Sequence, residues 1–244
     1  MALMSLVDIK SIELPSLMDW LLFLRRTFHL CNFLSFDEFC NICHRMNQIT
    51  AWDHLIFRSV NSGLANPFFD LLMPFMRYAP VWIPVYVFFG VFLIYNFRWK
   101  GLYIILFGAV AVLASDQLCT AFIKPFVHRL RPCYDPDLAG QVRLLLGSCG
   151  GQFSFPSNHA SNHFAIALYL ISILPSNIKW LKPTLLVWAS LIAFAQVYVG
   201  VHFPLDVICG AIIGSLLGAL LASIGKVVAG IDLDKDLEGS KPND

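Results

Sequence analysis

APVWIPVYVFFGVFLIYNF, residues 79–97, decides how the rest of the chain is read. The stretch carries no charge, and about 20 helical residues are enough to cross the hydrocarbon of a bilayer. Outward from it, residues 101–123 form a second apolar block, broken only by Ser115-Asp116-Gln117. Residues 157–174, 183–201 and 207–225 are further apolar blocks of spanning length, the last two uncharged. The whole chain agrees: of 244 residues, 57% are hydrophobic and 14% charged, whereas soluble domains run nearer half and a quarter. This excludes an ordinary cytosolic globule, and 21 Phe residues exclude a disordered chain. With 17 basic against 16 acidic residues the net charge is only +1, too little for a nucleic-acid partner. The fold expected is all-α, a polytopic membrane bundle of about five transmembrane helices preceded by N-terminal interfacial helices.

In the last block Gly210, Gly214, Gly218 and Ala222 recur every four positions, a spacing that lets helix backbones approach closely in lipid. Arg98 and Lys100, Lys179 and Lys182, and Lys226 lie in or after short loops and mark the cytoplasmic side. Loops 124–156 and 202–206 then share the outer face. That face also carries Lys124, Arg129, Arg131 and Arg143, a breach of the charge rule that demands a functional reason. Residues 17–36 are apolar but interrupted by Arg25-Arg26, which suits an amphipathic interfacial helix. Residues 49–76 mix aromatics with charges and suit the headgroup region. The expected organisation is an interfacial extension over 1–45, one membrane domain over 46–228 and a disordered charged tail over 229–244.

Three polar patches fall on the outer side. Lys124-Pro125-Phe126-Val127-His128-Arg129-Leu130-Arg131-Pro132 ends the second block, Phe155-Pro156-Ser157-Asn158-His159 begins the third, and His202-Phe203-Pro204-Leu205-Asp206 begins the fifth. Lys124 supplies a point charge and Arg131 a planar fork, both suited to phosphate oxygens. Pro156-Ser157 reads as a helix start, whose free N–H groups favour an anion, and Asn158 suits a position with positive φ. Pro204 fits the first turn of a helix, and Asp206 at its third position reaches back over the turn toward His202. That contact sets the tautomer of His202 and leaves its other nitrogen to attack. Together these parts fit phosphoryl transfer: His202 attacks phosphorus, Asp206 steadies the imidazolium, and His159 protonates the leaving oxygen. Lys124, Arg131 and the 157–159 backbone clamp the equatorial oxygens.

Lys124…Arg131-Pro132, Pro156-Ser157-Asn158-His159 and His202…Asp206, in this order, resemble the type 2 phosphatidic acid phosphatase family of membrane lipid phosphatases, related to the vanadium haloperoxidases. The resemblance covers roughly residues 50–225. It implies a membrane helical bundle, a phosphohistidine on His202, and a lipid phosphate substrate such as a polyprenyl diphosphate, phosphatidate or lipid A. The small members that process undecaprenyl diphosphate are similar in layout. With the phosphoryl-transfer reading and the loop charges, no cofactor and no metal are expected, and the enzyme is expected in the inner membrane with its site on the outer face, among membrane lipids. The family pattern P-S-G-H has Asn158 in place of Gly, and the family Ser-Arg pair falls on Ala195-Gln196. Gln196 still donates a hydrogen bond to phosphate, but a charge-assisted bond is about twice as strong. Either His128, Arg129 or Arg143 restores the charge, or turnover is weaker.

Other readings compete. His159 and His163 have the i, i+4 spacing of zinc ligands, and with His202 and Asp206 could form a metal site, although no Glu base accompanies them. Cys40-Asn41-Ile42-Cys43-His44 matches a haem-attachment pattern but stands alone. Asp116 must face protein, pairing with the basic cluster or with Ser or Thr of a neighbouring helix. Cys133 and Cys149 border the outer loop, where a disulfide is permitted; paired and free thiols both remain open. The absent arginine at 196 also allows a lipid-phosphate binder without catalysis. The oligomeric state is left open.

Overall fold

A computed structural model of the chain describes residues 36–175, 178–230 and 233. Residues up to Trp52 form one unit and those from Asp53 onward a second; apart from the start of α1, everything below concerns the second. Helix α1 (Phe36–Arg58) runs into a π-helical turn, Ser59–Gly63. Helix α2 (Pro67–Arg77) starts where Asn66 Oδ1 accepts the Phe69 N–H at 2.9 Å and Pro67 occupies the first turn. Helix α3 (Ile83–Gln117) continues through a π-helical segment, Leu118–Ile123, into the short α4 (Lys124–Val127). Then follow α5 (Asn158–Ile173), α6 (Leu181–Tyr198) and α7 (Pro204–Ala229). No strand occurs among the described residues, only an isolated bridge between Leu130 and Phe153. The all-α expectation therefore holds for the described chain.

Three helical stretches are long and apolar enough to cross a membrane: Ala79–Val127, Leu181–Tyr198 and Pro204–Ala229. The first is bent back on itself. Arg98 takes φ 49° and ψ −122°, outside helical geometry, and Gly101 lies against the Leu93 carbonyl, where no side chain fits. The break falls where the sequence placed a short basic loop between two apolar blocks.

Exposure is inverted relative to a soluble protein. Phe88, Val91, Tyr95, Leu113, Leu216 and Val227 are exposed, while Arg131, Ser157, Gln196, His202 and Asp206 are buried. An apolar exterior around a polar interior is what a lipid solvent selects, because polar groups must find partners inside the protein.

The α5–α7 contact is the most extensive in the fold, and its cause is the glycine stripe. A Cβ on Gly210 would lie 2.5 Å from the Ser157 carbonyl oxygen, and Gly214 and Gly218 sit equally hard against the Ser161 and Ala165 carbonyls. Only hydrogen fits there. The close approach lets Ser157 N donate to Asp206 O at 3.0 Å. The start of α5 and the start of α7 are thus bonded to each other, which brings the second and third polar patches together.

The interfacial segment expected at residues 17–36 lies almost wholly outside the described residues, as does the charged tail beyond Leu233. The side chains of Cys40 and Cys43 also fall outside them.

Candidate active site

The buried polar cluster is built at the ends of four elements. Chain direction reverses after α4 at His128, which takes the left-handed conformation with φ 53°. From there Arg129–Arg131 run extended against 152–154: Ser154 N donates to Arg129 O at 2.7 Å and Arg131 N to Gln152 O at 3.1 Å. Alternate residues of an extended segment share a face, so Arg129 and Arg131 both reach the His202–Asp206 pair. Ser157 caps α5, its Oγ accepting the Ala160 N–H. This leaves Asn158 and His159 in the first turn of α5, at the positive end of the helix dipole. Cys133 and Cys149, on the loops flanking this ladder, are disulfide-bonded with Cα atoms 6.4 Å apart.

His202 is the centre. Its Nδ1 lies 3.5 Å from Asp206 Oδ2, an ion-pair distance with no closer acceptor, and its Nε2 lies 3.4 Å from Arg131 Nη1. Burial is the main cause that pushes the His202 pKa down to about 4; Asp206 opposes it, and Arg131 and Lys124 reinforce it. At neutral pH the ring is therefore uncharged, with one nitrogen toward Asp206 and the other toward the cations. Asp206 is fully buried; Oδ2 accepts the Phe203 N–H at 2.9 Å and Oδ1 accepts Arg129 Nη1 at 2.8 Å. The reach back over the turn expected from the Pro204–Asp206 spacing is present.

Lys124 and Arg131 converge on this group. The charge of each acts on His202, and Arg131 also acts on His159, which in turn senses His202. Among the described residues neither cation has a carboxylate within ion-pair distance, and Arg131 Nε is buried without a partner. Arg131 Nη1 is steadied by the Val201 carbonyl at 3.2 Å.

Several expectations need correction. Asn158 does not take positive φ; it is the first residue of α5. Its side chain instead donates to Asp116 Oδ1 at 2.7 Å and to Thr120 Oγ1 at 2.6 Å. Asp116 also accepts Asn162 Nδ2 at 3.1 Å, so its main partners are amides of α5 rather than the basic cluster. The three residues named as alternatives for the charge at 196 each have other neighbours in the structure. Arg129 is shared by Asp53 and Asp206, Arg143 pairs with Asp70, and His128 packs edge-on against Phe153 with centroids 4.7 Å apart. Gln196 is fully buried and makes both its side-chain bonds within the protein: Nε2 donates to Ile192 O at 3.2 Å, and Oε1 accepts Arg77 Nε at 2.9 Å.

The sequence reading missed Asp53 and the positioning role of Arg129. Asp53 Oδ1 accepts the Leu205 N–H at 2.8 Å while Oδ2 holds Arg129, and the Arg129 guanidinium lies 4.2 Å over the Phe203 ring. No local pattern marks Asp53, since it stands about 150 positions from the turn it supports. His163 turns away from a ligand role: its Nδ1 bonds the His159 carbonyl at 2.7 Å and its ring meets Trp188. No group of three His, Cys, Asp or Glu side chains with metal-binding geometry occurs among the described residues.

The chain is similar in sequence and fold to known proteins. Residues 102–227 match the PAP2 superfamily. A lipid A 4'-phosphatase of Bacteroides thetaiotaomicron is 36% identical over 155 residues, which is 63% of this chain and 68% of its own. A lipid A 4'-phosphatase of Porphyromonas gingivalis is 31% identical over 170 residues, 69% and 71% of the two chains. The crystal structure of Aquifex aeolicus LpxE superimposes with a TM-score of 0.53 at 28% identity, over 69% of this chain and 93% of that one. The matched stretch contains Lys124, Arg131, His159, His202 and Asp206, and on it the chain belongs to the PAP2 superfamily.

Proposed function

We propose that this membrane lipid phosphatase passes the phosphoryl group of its substrate to His202 and then to water, without a metal ion. One observation carries the reading: a neutral, buried His202 held between Asp206 and Arg131, with uncompensated cations around it. His202 Nε2 attacks phosphorus and the P–O bond to the lipid breaks. His159, which takes up a proton once the bound phosphate anion offsets the cations around it, gives that proton to the departing alkoxide, and Asp206 stabilises the charge on His202. His159, now neutral, takes a proton from water as that water attacks the phosphohistidine; the P–N bond breaks, and inorganic phosphate leaves. Lys124, Arg131, Ser157 and the first-turn N–H groups of Asn158 and His159 hold the equatorial oxygens.

The first substrate class is a phosphate monoester on a lipid A-type glycolipid, supported by the relatives that act on lipid A. The polyprenyl diphosphate suggested by the sequence layout is the second. The reading of the chain as a lipid-phosphate binder without catalysis is not favoured, because its relatives are phosphatases. The membrane arrangement belongs to the same proposal. Arg98 divides the first apolar stretch into two spans, and α5, α6 and α7 supply three more. The pocket then opens on the outer face, a reading supported by the Cys133–Cys149 disulfide beside it.

The test is phosphate release from lipid A-type, polyprenyl and glycerolipid phosphates by the full-length protein in detergent, with chelator throughout. The proposal expects release, and its complete loss in a folded His202→Ala variant. Turnover by that variant overturns the nucleophile, and activity abolished by chelator overturns the metal-free mechanism.

A further inference from the structure

We propose that Arg77, on α2, is a phosphate-binding residue of this site, and that Gln196 is the side chain that aims it. The inference rests on the phosphatase reading above and adds a member to its anion cradle.

Position 196 is bonded to the nucleophile's own turn. Its backbone carbonyl accepts both Val201 N–H and His202 N–H at 3.2 Å, so position 196 is tied to the turn that carries His202. A family arginine would offer a guanidinium there, but Gln196 offers an amide with no charge. Its Oε1 accepts Arg77 Nε at 2.9 Å, and a guanidinium is thereby hung on the end of the Gln196 side chain. The charge returns to the site from another helix, 119 positions away in the chain.

Arg77 has the properties of an anion ligand in waiting. It is half-buried, and among the described residues no carboxylate pairs with it and its Nη groups bond nothing. Its charge acts on both His159 and Arg131. Burial, and then the nearby Arg131, lower its pKa, which is the electrostatic state of a cation cluster awaiting a counter-charge. By contrast, Arg129 and Arg143, the other arginines of this side, are already taken by Asp53, Asp206 and Asp70. Arg77 stands at the C-terminal turn of α2, where a cation is favoured by the helix dipole alone. That structural role needs no Gln196 and no proximity to His159, so the two can be separated.

The decisive variant moves the charge back. Arg77→Ala should lower kcat/KM by about 10² or more, the usual cost of one oxyanion donor, and Arg77→Lys should recover part of it. The double variant R77A/Q196R should regain at least about tenfold over R77A, because the guanidinium again rises from position 196. Gln196→Glu keeps the acceptor but neutralises Arg77, and should bind orthovanadate more weakly than Gln196→Ala. A purely structural role orders those two the other way, since a carboxylate bonds Arg77 more tightly. Binding of orthovanadate by calorimetry, with folding checked by thermal melting, reads Arg77 even if no lipid tested is a substrate: wild type should bind about tenfold or more tighter than R77A. Equal vanadate affinity in folded R77A, or an R77A/Q196R variant no more active than R77A, overturns the inference. Failure of wild type to release phosphate from any lipid, with the vanadate difference intact, refutes the substrate reading and leaves Arg77 in place.

Discussion

Gly210→Ala adds a single methyl group, and the structure says where it goes. The new Cβ would stand 2.5 Å from the Ser157 carbonyl oxygen and 3.3 Å from Ser157 N, both backbone atoms that no rotamer change can move. Restoring an ordinary 3.4 Å contact demands that α7 and the start of α5 separate by about 0.9 Å at this level. The 3.0 Å bond from Ser157 N to Asp206 O lies in that same gap. Separation therefore shifts Ser157 and His159 relative to His202 and Asp206, which stand on the other side. A misplacement of about 1 Å at reacting groups costs about 10² in rate, and overpacking of a well-packed contact costs about 1–3 kcal/mol of stability. We expect Gly210→Ala to lower kcat about a hundredfold, with a fall of several degrees in Tm. The assay is phosphate release in detergent beside thermal melting, with Gly225→Ala as the matched control. In that control the new Cβ meets only the Phe107 ring, at 3.4 Å, and near wild-type values are expected. A Gly210→Ala protein with unchanged kcat would refute the argument that the glycine stripe positions the site.

Two further outcomes follow from the buried charges. Arg129→Ala leaves Asp206 and Asp53 without their shared cation; breaking a buried pair this way costs about 3–5 kcal/mol, so Tm should drop more than for Arg58→Ala, and kcat should fall with little change in KM because the Arg129 guanidinium is engaged by two carboxylates. His202 fixes a pH dependence: in the unfolded chain its imidazole takes a proton below about 6.5, but in the folded protein only below about 4. Between those values the unfolded state binds more protons, so stability contributed by His202 is present above about 6.5 and is lost as pH falls toward 4. Melting temperatures measured from pH 7 down to pH 4 should fall, and His202→Ala should flatten that fall. The nucleophile's own acid limb in kcat/KM should lie near pH 4 rather than 6.5.

Much of this site was readable in advance because its logic is local. Helix starts at Ser157 and Pro204, the i, i+4 relation of His202 and Asp206, and the four-residue glycine repeat all follow from backbone geometry over a turn or two. The structure bears each of them out. Asn158 went differently because its conformation was read from residue preference alone. Asp116 and Thr120 on a neighbouring helix supply acceptors that make an ordinary helical φ the better choice for it. The charge missing at position 196 was sought among nearby arginines. Arg129 and Arg143 already answer to carboxylates that stand some 75 positions away in sequence.

The string of residues alone told that this is a membrane protein of PAP2 type and which polar patches stand at its helix ends. Those conclusions rest on hydropathy summed along the chain and on spacing within single turns, quantities a linear string contains. Folding was needed to learn which cations stand, among the described residues, without a carboxylate partner and which are paired. Electrostatic partnership falls off over a few ångströms in space, and at that scale Asp53 meets Arg129, and Arg77 meets Gln196, solely through the folding of segments some 75 to 120 positions apart.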